Sequence, residues 1–365
     1  MLLFLTNSLI VADNDSAYDS IKKAVRNLAT ASCEGKHYLL GEEKVIEYFC
    51  KIFKPANDDV SRLFDNLRQN YAIQKVPNTL TIYWEVVKDN PTTRMDDGTE
   101  IVQLEYKEFL DTRAIQETVL VGEDIEYDCW FYRFILKWYL NKLSVHVYCM
   151  FKDRHGGGGR MAEVLQQCYC DKESSLCFVD TDKKYPTQPI ASHSTCKKCL
   201  HIQQGPRNKV EELNVQEIEN LLPLNYLDML NYEGDNKTRK DQFDALRDKS
   251  DSEQVLQFFD LKCGVKKYLD YKDSQDFKDF AKTICLMNPD IMGGKSFNEY
   301  YSSINDEEII YPGLMKRILK QTIDIVKNGV TEAPALMGYQ EIEWEIIGRL
   351  MLSYGFARRP EGITN

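Results

Sequence analysis

Acidic residues follow two apolar stretches of this 365-residue chain. Glu123 comes after the first stretch, Asp180 and Asp182 come after the second, and Gly156–Gly159 lies between them. If these three carboxylates lie close together, they repel one another, and a bound divalent cation removes that unfavourable repulsion. Because sites built only from oxygen ligands favour hard ions, the pattern predicts Mg²⁺ or Mn²⁺ held by Glu123, Asp180 and Asp182.

The segments around these residues predict alternating strands and helices. Apolar runs and helical spacing indicate a strand at 117–124, a helix at 130–136, a strand at 143–150, a helix at 160–167 and a strand at 175–179. Strands joined by helices pair in parallel, and an open parallel sheet binds its ligands at the carboxyl ends of the strands. We therefore expect the two acidic strand ends and the glycine turn to meet at one edge of a sheet.

This order of motifs resembles the Toprim domain, which topoisomerases, DnaG-type primases, recombination-repair proteins and overcoming-lysogenisation-defect (OLD) nucleases share. The segment 216–223 is similar to the Glu-Asn segment of stand-alone Toprim nucleases from bacterial defence systems. One motif departs from the family pattern Glu-Gly-x-x-Asp, because Gly122 precedes Glu123 and the next candidate acid is Asp128. Asp124 and Asp128 therefore stay open as ligands.

The resemblance implies an Mg²⁺-dependent nuclease that acts in anti-phage defence. It implies Glu123, Asp180, Asp182 and Glu219 as catalytic residues, with Glu217 as a competitor of Glu219. A topoisomerase would need a large DNA-gate domain, and a primase would bring an N-terminal zinc ribbon, so a nuclease is the family member that fits this chain. Two alternatives stay open, namely a non-catalytic Toprim-like scaffold and a nuclease specific for tRNA or other RNA.

Basic and glycine residues near the acids are candidates for binding the substrate. Backbone amides of Gly157 and Gly158 can approach a phosphate where a helix begins. Arg160, Lys183 and Lys184 carry charges that would offset those of flanking phosphates.

Composition limits the class of protein. A hydrophobic fraction of 43% is that of a globular chain, and a net charge of −11 argues against broad adhesion to nucleic acid. No apolar run approaches the roughly 18 residues of a membrane span, and the apolar N-terminus predicts a first strand. Eleven cysteines spread over the chain are typical of reduced thiols in the cytoplasm.

The fold class predicted from these patterns is α/β, with a Rossmann-like, mostly parallel Toprim core. We predict an α+β accessory domain at 1–115, the Toprim-like core at 116–225 and a mainly helical region at 226–365. In the first domain, 79–87 and 101–104 are predicted to be paired strands. A charged helical segment is predicted to begin at 211–219.

Two further motifs have competing interpretations. Cys196 and Cys199 have the Cys-x-x-Cys spacing of a zinc site, but the segment could equally be a turn of helix. Gly293-Gly294-Lys295-Ser296 is similar to the end of a Walker A motif, although Pro289 stands where that motif needs glycine. We therefore expect any ATPase or sensor to be a separate partner protein, and homo-oligomerisation is a further expectation.

Overall fold

The computed structural model describes residues 1–202, 205–249 and 252–360. The chain folds into two compact units. Unit 1 comprises Met1–Cys177, His201–Glu211 and the chain from Glu345 onward, and unit 2 comprises Phe178–Leu200 and Glu212–Trp344. This division does not follow the boundaries expected at 115 and 225, which stay a prediction.

A five-stranded sheet forms the first part of unit 1. Its strands are β1 (Leu2–Leu5), β2 (Tyr38–Gly41), β3 (Ile82–Val87), β4 (Thr93–Asp96) and β5 (Thr99–Glu105), in the order β2-β1-β3-β5-β4. Its helices are α1 (Tyr18–Cys33), α2 (Glu43–Phe53) and α3 (Asp59–Gln69). β1 pairs in parallel with β2 and β3, and β3 pairs in parallel with β5. Every residue of β3 is buried, as expected for a parallel strand covered on both faces.

This arrangement corrects one prediction for the first 115 residues and confirms another. The strands and their crossover helices form an α/β sheet, whereas an α+β domain was predicted. The predicted pairing of 79–87 with 101–104 is confirmed, because β3 pairs with β5, and the two strands are parallel. The additional strand β4 pairs antiparallel with β5. The exposed residues of β4 have no apolar pattern, so the sequence did not reveal the intervening strand.

A four-stranded sheet carries the acidic strand ends. Its strands are β6 (Thr118–Gly122), β8 (Phe151–His155), β9 (Ser175–Val179) and β10 (Asn208–Glu212), in the order β10-β9-β6-β8. The helices of this segment are α4 (Asp128–Lys142) and α5 (Met161–Cys170), and the short strand β7 (Tyr148–Cys149) precedes β8. β6 pairs in parallel with both β8 and β9. The predicted parallel order of β6 and β9 is thus confirmed.

The predicted strand at 143–150 is misplaced. Residues up to Lys142 continue α4, and the strand beside β6 is β8, which runs directly into the glycine turn. β8 is an edge strand whose polar side chains have partners: Arg133 pairs with Asp153 at 2.5 Å, and Arg154 pairs with Glu173 at 2.6 Å. Because ion pairs replace apolar contacts here, hydrophobicity did not mark this strand.

Unit 2 is mainly helical. Its helices are α6 (Thr195–Leu200), α7 (Leu224–Asp228), α8 (Asp235–Arg247), α9 (Ser252–Leu256), α10 (Gln275–Met287), α11 (Phe297–Ser303) and α12 (Ile318–Lys327). Strands β11 (Gly264–Lys266) and β12 (Ile309–Pro312) pair antiparallel. The helix α13 (Gly338–Gly355) leads into β13 (Phe356–Ala357). Strands β13 and β7 both belong to unit 1, where they pair antiparallel. The charged helix predicted at 211–219 is wrong, because β10 extends to Glu212.

Two general features accompany this fold. None of the eleven cysteines forms a disulfide. Among the described residues, no helix is both long and apolar enough to cross a membrane.

The aromatic core of unit 1 generates a stability prediction. Phe64 is fully buried, with ring centroids 5.4 Å from Phe53 and 5.9 Å from Phe49. Phe64→Ala removes these contacts and leaves a cavity, so we expect the free energy of unfolding to fall by about 3–5 kcal/mol in urea denaturation. Ile73→Ala is the control, since Ile73 is 79% exposed. Equal midpoints for the two variants would contradict this assignment of the core.

Candidate functional site

Glu123 and the glycine turn lie together in unit 1. The Gly156 N–H donates to the Gly122 carbonyl at 2.7 Å, which joins the carboxyl ends of β8 and β6. Gly157 and Gly158 have φ of 70° and 59°, a left-handed conformation that glycine adopts without strain. A Cβ placed on Gly158 would lie 3.3 Å from Glu123 Oε1, so the turn passes directly beside this carboxylate. The predicted neighbourhood of Glu123 and the glycines is therefore present.

Asp124 and Asp128 have structural roles at the start of α4. Asp128 Oδ2 accepts a hydrogen bond from the Asp124 N–H at 2.9 Å. Asp124 Oδ1 accepts from the N–H groups of Glu126 at 2.8 Å and Tyr127 at 3.3 Å. These bonds hold the turn that leads from β6 into α4, so both acids have a structural role.

Arg160 follows the glycine turn at the surface of unit 1. Its side chain is 79% exposed and pairs with Glu163 at 3.0 Å. An exposed ion pair of this kind contributes little to stability, and the guanidinium can leave it to meet a phosphate. Arg154 differs, because it is fixed by two hydrogen bonds to Glu173 at 2.6 and 2.9 Å.

Asp182 lies in unit 2 in a strained backbone conformation. Its φ is 57°, and its N–H donates to the Gln216 carbonyl at 2.9 Å, which holds the turn after β9. The side chain is reached by solvent, yet the surrounding protein limits its hydration and raises its pKa, an effect that Lys184 and Lys262 partly oppose. A non-glycine residue with positive φ and an acid with a raised pKa are each common at functional sites.

Asp180 is half-buried, next to the end of β9. It lies close enough to Cys196 for its charge to act on the thiol. Burial, followed by the charges of Glu212, Cys199, Asp182 and Asp180, raises the pKa of Cys196 to about 12. The two predicted aspartates thus act on one buried neighbour in unit 2.

Two carboxylates share one ammonium in unit 2. Lys262 Nζ lies 2.8 Å from Glu217 Oε2 and 3.2 Å from Glu219 Oε1. Burial, together with the charge of Glu219, raises the pKa of Glu217 to about 7. Burial opposes the charged form of Lys262, but the attraction of Glu219 and Glu217 outweighs it and raises the lysine pKa. This carboxylate pair with Lys262 is named the Lys262 cluster.

Asn220 fixes the backbone of the Lys262 cluster. Its Oδ1 accepts from the Glu217 N–H at 3.0 Å, and its Nδ2 donates to the carbonyls of Leu256 and Phe259 at 2.7 and 2.8 Å. Asp260 does the same for the lysine, since its Oδ1 accepts from the Lys262 N–H at 3.0 Å. The Glu-Asn segment identified in the sequence is therefore a short turn that hydrogen bonds hold in place.

Lys183 and Lys184 follow Asp182 directly. The Lys184 N–H donates to Gln188 Oε1 at 2.6 Å, and its Nζ lies 4.0 Å from Asp260 Oδ2 and 5.7 Å from the centre of the Tyr268 ring. Lys183 is half-buried. Lys184 is thus near the Lys262 cluster, where its charge would also meet an anionic ligand.

The two other motifs have local explanations in unit 2. Cys196 and Cys199 are both buried on α6, which fits the interpretation of this segment as a turn of helix. Ser296 caps α11: its Oγ accepts from the Glu299 N–H at 3.4 Å, and Glu299 Oε2 accepts from the Ser296 N–H at 2.9 Å. The apparent Walker A ending is therefore a capping box.

The sequence did not reveal Lys262 or Asp260. Both follow α9 far along the chain from Glu219, in a segment without a motif. The signal that was present is the excess of acid at 217 and 219, because two carboxylates this close to a core require a compensating cation.

The donor set suits a hard cation, while the geometry shows no preformed site. Glu123, Asp180 and Asp182 offer only oxygen donors, as Mg²⁺ and Mn²⁺ prefer. In the described part of the chain, however, no group of three or more His, Cys, Asp or Glu side chains is arranged to hold a metal ion.

Glu217→Gln tests the raised pKa. Folded Glu217 keeps its proton up to about pH 7, whereas its ordinary pKa is 4.5. Its contribution to stability is therefore complete below pH 4.5 and is lost as pH rises through 7, by up to about 3 kcal/mol. We expect the urea concentration at the unfolding midpoint of Glu217→Gln to rise relative to that of the wild type as the pH increases from 5 to 8. The exposed Glu47→Gln is the control, and a parallel pH dependence in all three proteins would contradict the shift.

Comparison of this chain with protein-family models, curated proteins and solved structures finds no match. The geometry of its own residues is therefore the basis for a functional conclusion.

Proposed function

We propose that the protein is a Toprim-like, metal-dependent nuclease that hydrolyses phosphodiester bonds of DNA or RNA. The observation that carries the proposal is the parallel order of β8, β6 and β9, with a glycine turn, Glu123 and Asp180 following their carboxyl ends. That is the edge at which open parallel sheets bind ligands.

The proposed ligands of Mg²⁺ or Mn²⁺ are Glu123, Asp180 and Asp182. Glu123, which lies beside the glycine turn, and Asp182 are both exposed to solvent, so an ion can reach their carboxylates. When bound, such an ion supplies polarisation of the scissile phosphate and activation of water.

The other residues have separate proposed tasks. The amides of Gly157 and Gly158, with Arg160, would orient a phosphate, and Lys183 and Lys184 would offset the charge of its neighbours. In the Lys262 cluster, Glu219 is buried against the lysine. Glu217, with a pKa of about 7, is suited to hold or release a proton near neutral pH.

The setting we propose is anti-phage defence in the cytoplasm. An effector nuclease that is always active would harm its host, so we propose restraint by a sensor or ATPase partner or by homo-oligomerisation. The basis for this setting is the motif resemblance.

A non-catalytic Toprim-like scaffold is the second candidate. It is favoured by the altered first motif, in which Gly122 precedes Glu123 and the next candidate acid is Asp128. Such a protein would act by docking to its partner.

Cleavage assays test the nuclease. The purified chain is incubated with plasmid DNA and bulk tRNA in Mg²⁺, Mn²⁺ or EDTA, beside Asp180→Ala and the exposed control Asp290→Asn. We expect metal-dependent cutting that Asp290→Asn retains and Asp180→Ala lowers by at least about 10²-fold, because loss of a group that stabilises transition-state charge has effects of that size. The nucleic acid that is cut identifies the substrate. Cutting that survives in EDTA or in Asp180→Ala would contradict the proposed site.

Metal binding separates the two candidate functions. Titration calorimetry with Mn²⁺ should show binding by the wild type that Glu123→Gln and Asp182→Asn each weaken by at least about tenfold, which corresponds to about 1.4 kcal/mol. The control Asp290→Asn should bind like the wild type. A wild-type protein that binds no Mn²⁺ and cuts no substrate would favour the scaffold.

A further inference from the structure

A second candidate site lies in unit 1, away from the acidic strand ends. A cleft of about 820 Å³ is bounded by α4, by the β7–β13 ribbon and by Tyr38. Its volume is within the range of sites for small molecules. Neither the nuclease proposal nor the resemblance assigns a role to it.

The charge of the cleft opposes that of the protein. The basic residues Arg133, Lys137 and Arg359 are among its lining residues, His146 adds a polar side chain, and the lining includes no aspartate or glutamate. The chain as a whole has a net charge of −11. A local concavity lined by one sign of charge concentrates ligands of the opposite sign, so the cleft favours an anion.

Part of this positive charge is available to a ligand. Arg133 is engaged, because it pairs with Asp153 at 2.5 Å and donates to the Phe151 carbonyl at 3.2 Å. Lys137 and His146 are exposed, and within the described residues neither has an ion-pair partner. Lys137 is itself one of the residues that line the cleft.

Aromatic rings supply the second element of recognition. Tyr38 and Phe356 lie with ring centres 4.8 Å apart, and half-buried Tyr148 lines the same cleft. Rings of this kind stack on a planar base, and their edges accommodate its polar groups. Cations beside aromatic faces thus match a ligand that joins phosphate to a base.

We propose that this cleft binds a nucleoside phosphate, with the phosphates at Lys137 and His146 and the base against Tyr38 and Tyr148. The same chemistry could be supplied by a free nucleotide or by a nucleotide within a single strand. The proposal does not depend on the nuclease activity, because none of the proposed metal ligands lines the cleft.

Titration calorimetry of the full chain in EDTA tests the proposal. The probes are ATP, adenosine, tripolyphosphate and a ten-nucleotide oligothymidylate, each up to about 1 mM, the limit of weak specific binding. We expect ATP to bind at least about tenfold more tightly than adenosine or tripolyphosphate, because only ATP engages both the cations and the rings. If the oligothymidylate binds more tightly than ATP, the same chemistry is supported with a strand as its source.

Variants locate the binding. Lys137→Glu reverses a charge at the cleft and should weaken ATP binding by at least about tenfold. Lys44→Glu makes the same change at an exposed position on α2, outside the cleft, and should bind like the wild type. Asp180→Ala should also bind like the wild type, which separates this site from the proposed nuclease.

Three results would overturn the proposal. The first is no binding of either ATP or the oligothymidylate, and the second is tripolyphosphate binding as tightly as ATP. The third is unchanged ATP affinity in Lys137→Glu, with circular dichroism showing that the variant is folded.

Discussion

The compensation of buried negative charge is the constraint on which unit 2 depends most. Glu217 and Glu219 are withdrawn from water, and Lys262 is the cation in contact with both. Removal of a charge from water costs several kcal/mol, and a single ammonium cannot fully satisfy two carboxylates. The charged form of Glu217 is therefore still disfavoured, and burial and the charge of Glu219 raise its pKa to about 7.

The polar network around Lys262 explains why this costly arrangement persists. Asn220 joins the Glu217 amide to two carbonyls that precede Asp260, and Asp260 in turn accepts from the amide of Lys262. The acids and their cation are thus fixed by backbone hydrogen bonds and not by mutual attraction alone. Such a network keeps the charged groups at defined positions.

The sequence was informative where burial and chain direction act together. β6 and β9 were predicted because central parallel strands read as continuous apolar runs, and the neighbourhood of Glu123 and the glycines followed from the direction of β6 and β8. β8 was misplaced because Asp153 and Arg154 satisfy an edge strand with ion pairs. Lys262 was missed since a compensating cation has no fixed spacing from the acids that it serves.

The cleft beside α4 was also not apparent from the sequence. Its basic, polar and aromatic side chains come from β2, from α4, from the segment that precedes β8, and from β13 with the residues after it. These segments are distant in the chain and form no motif. Each residue alone is ordinary, and the cleft is distinct only because its lining lacks carboxylates in a protein that is acidic overall. The overall composition does not show such a local reversal of charge, because it sums the charges of the whole chain. The net charge of −11 argues against broad adhesion to polyanions. A cleft of a few side chains can still select one anion, because electrostatic recognition depends on the charges within roughly one Debye length and not on the sum over the chain.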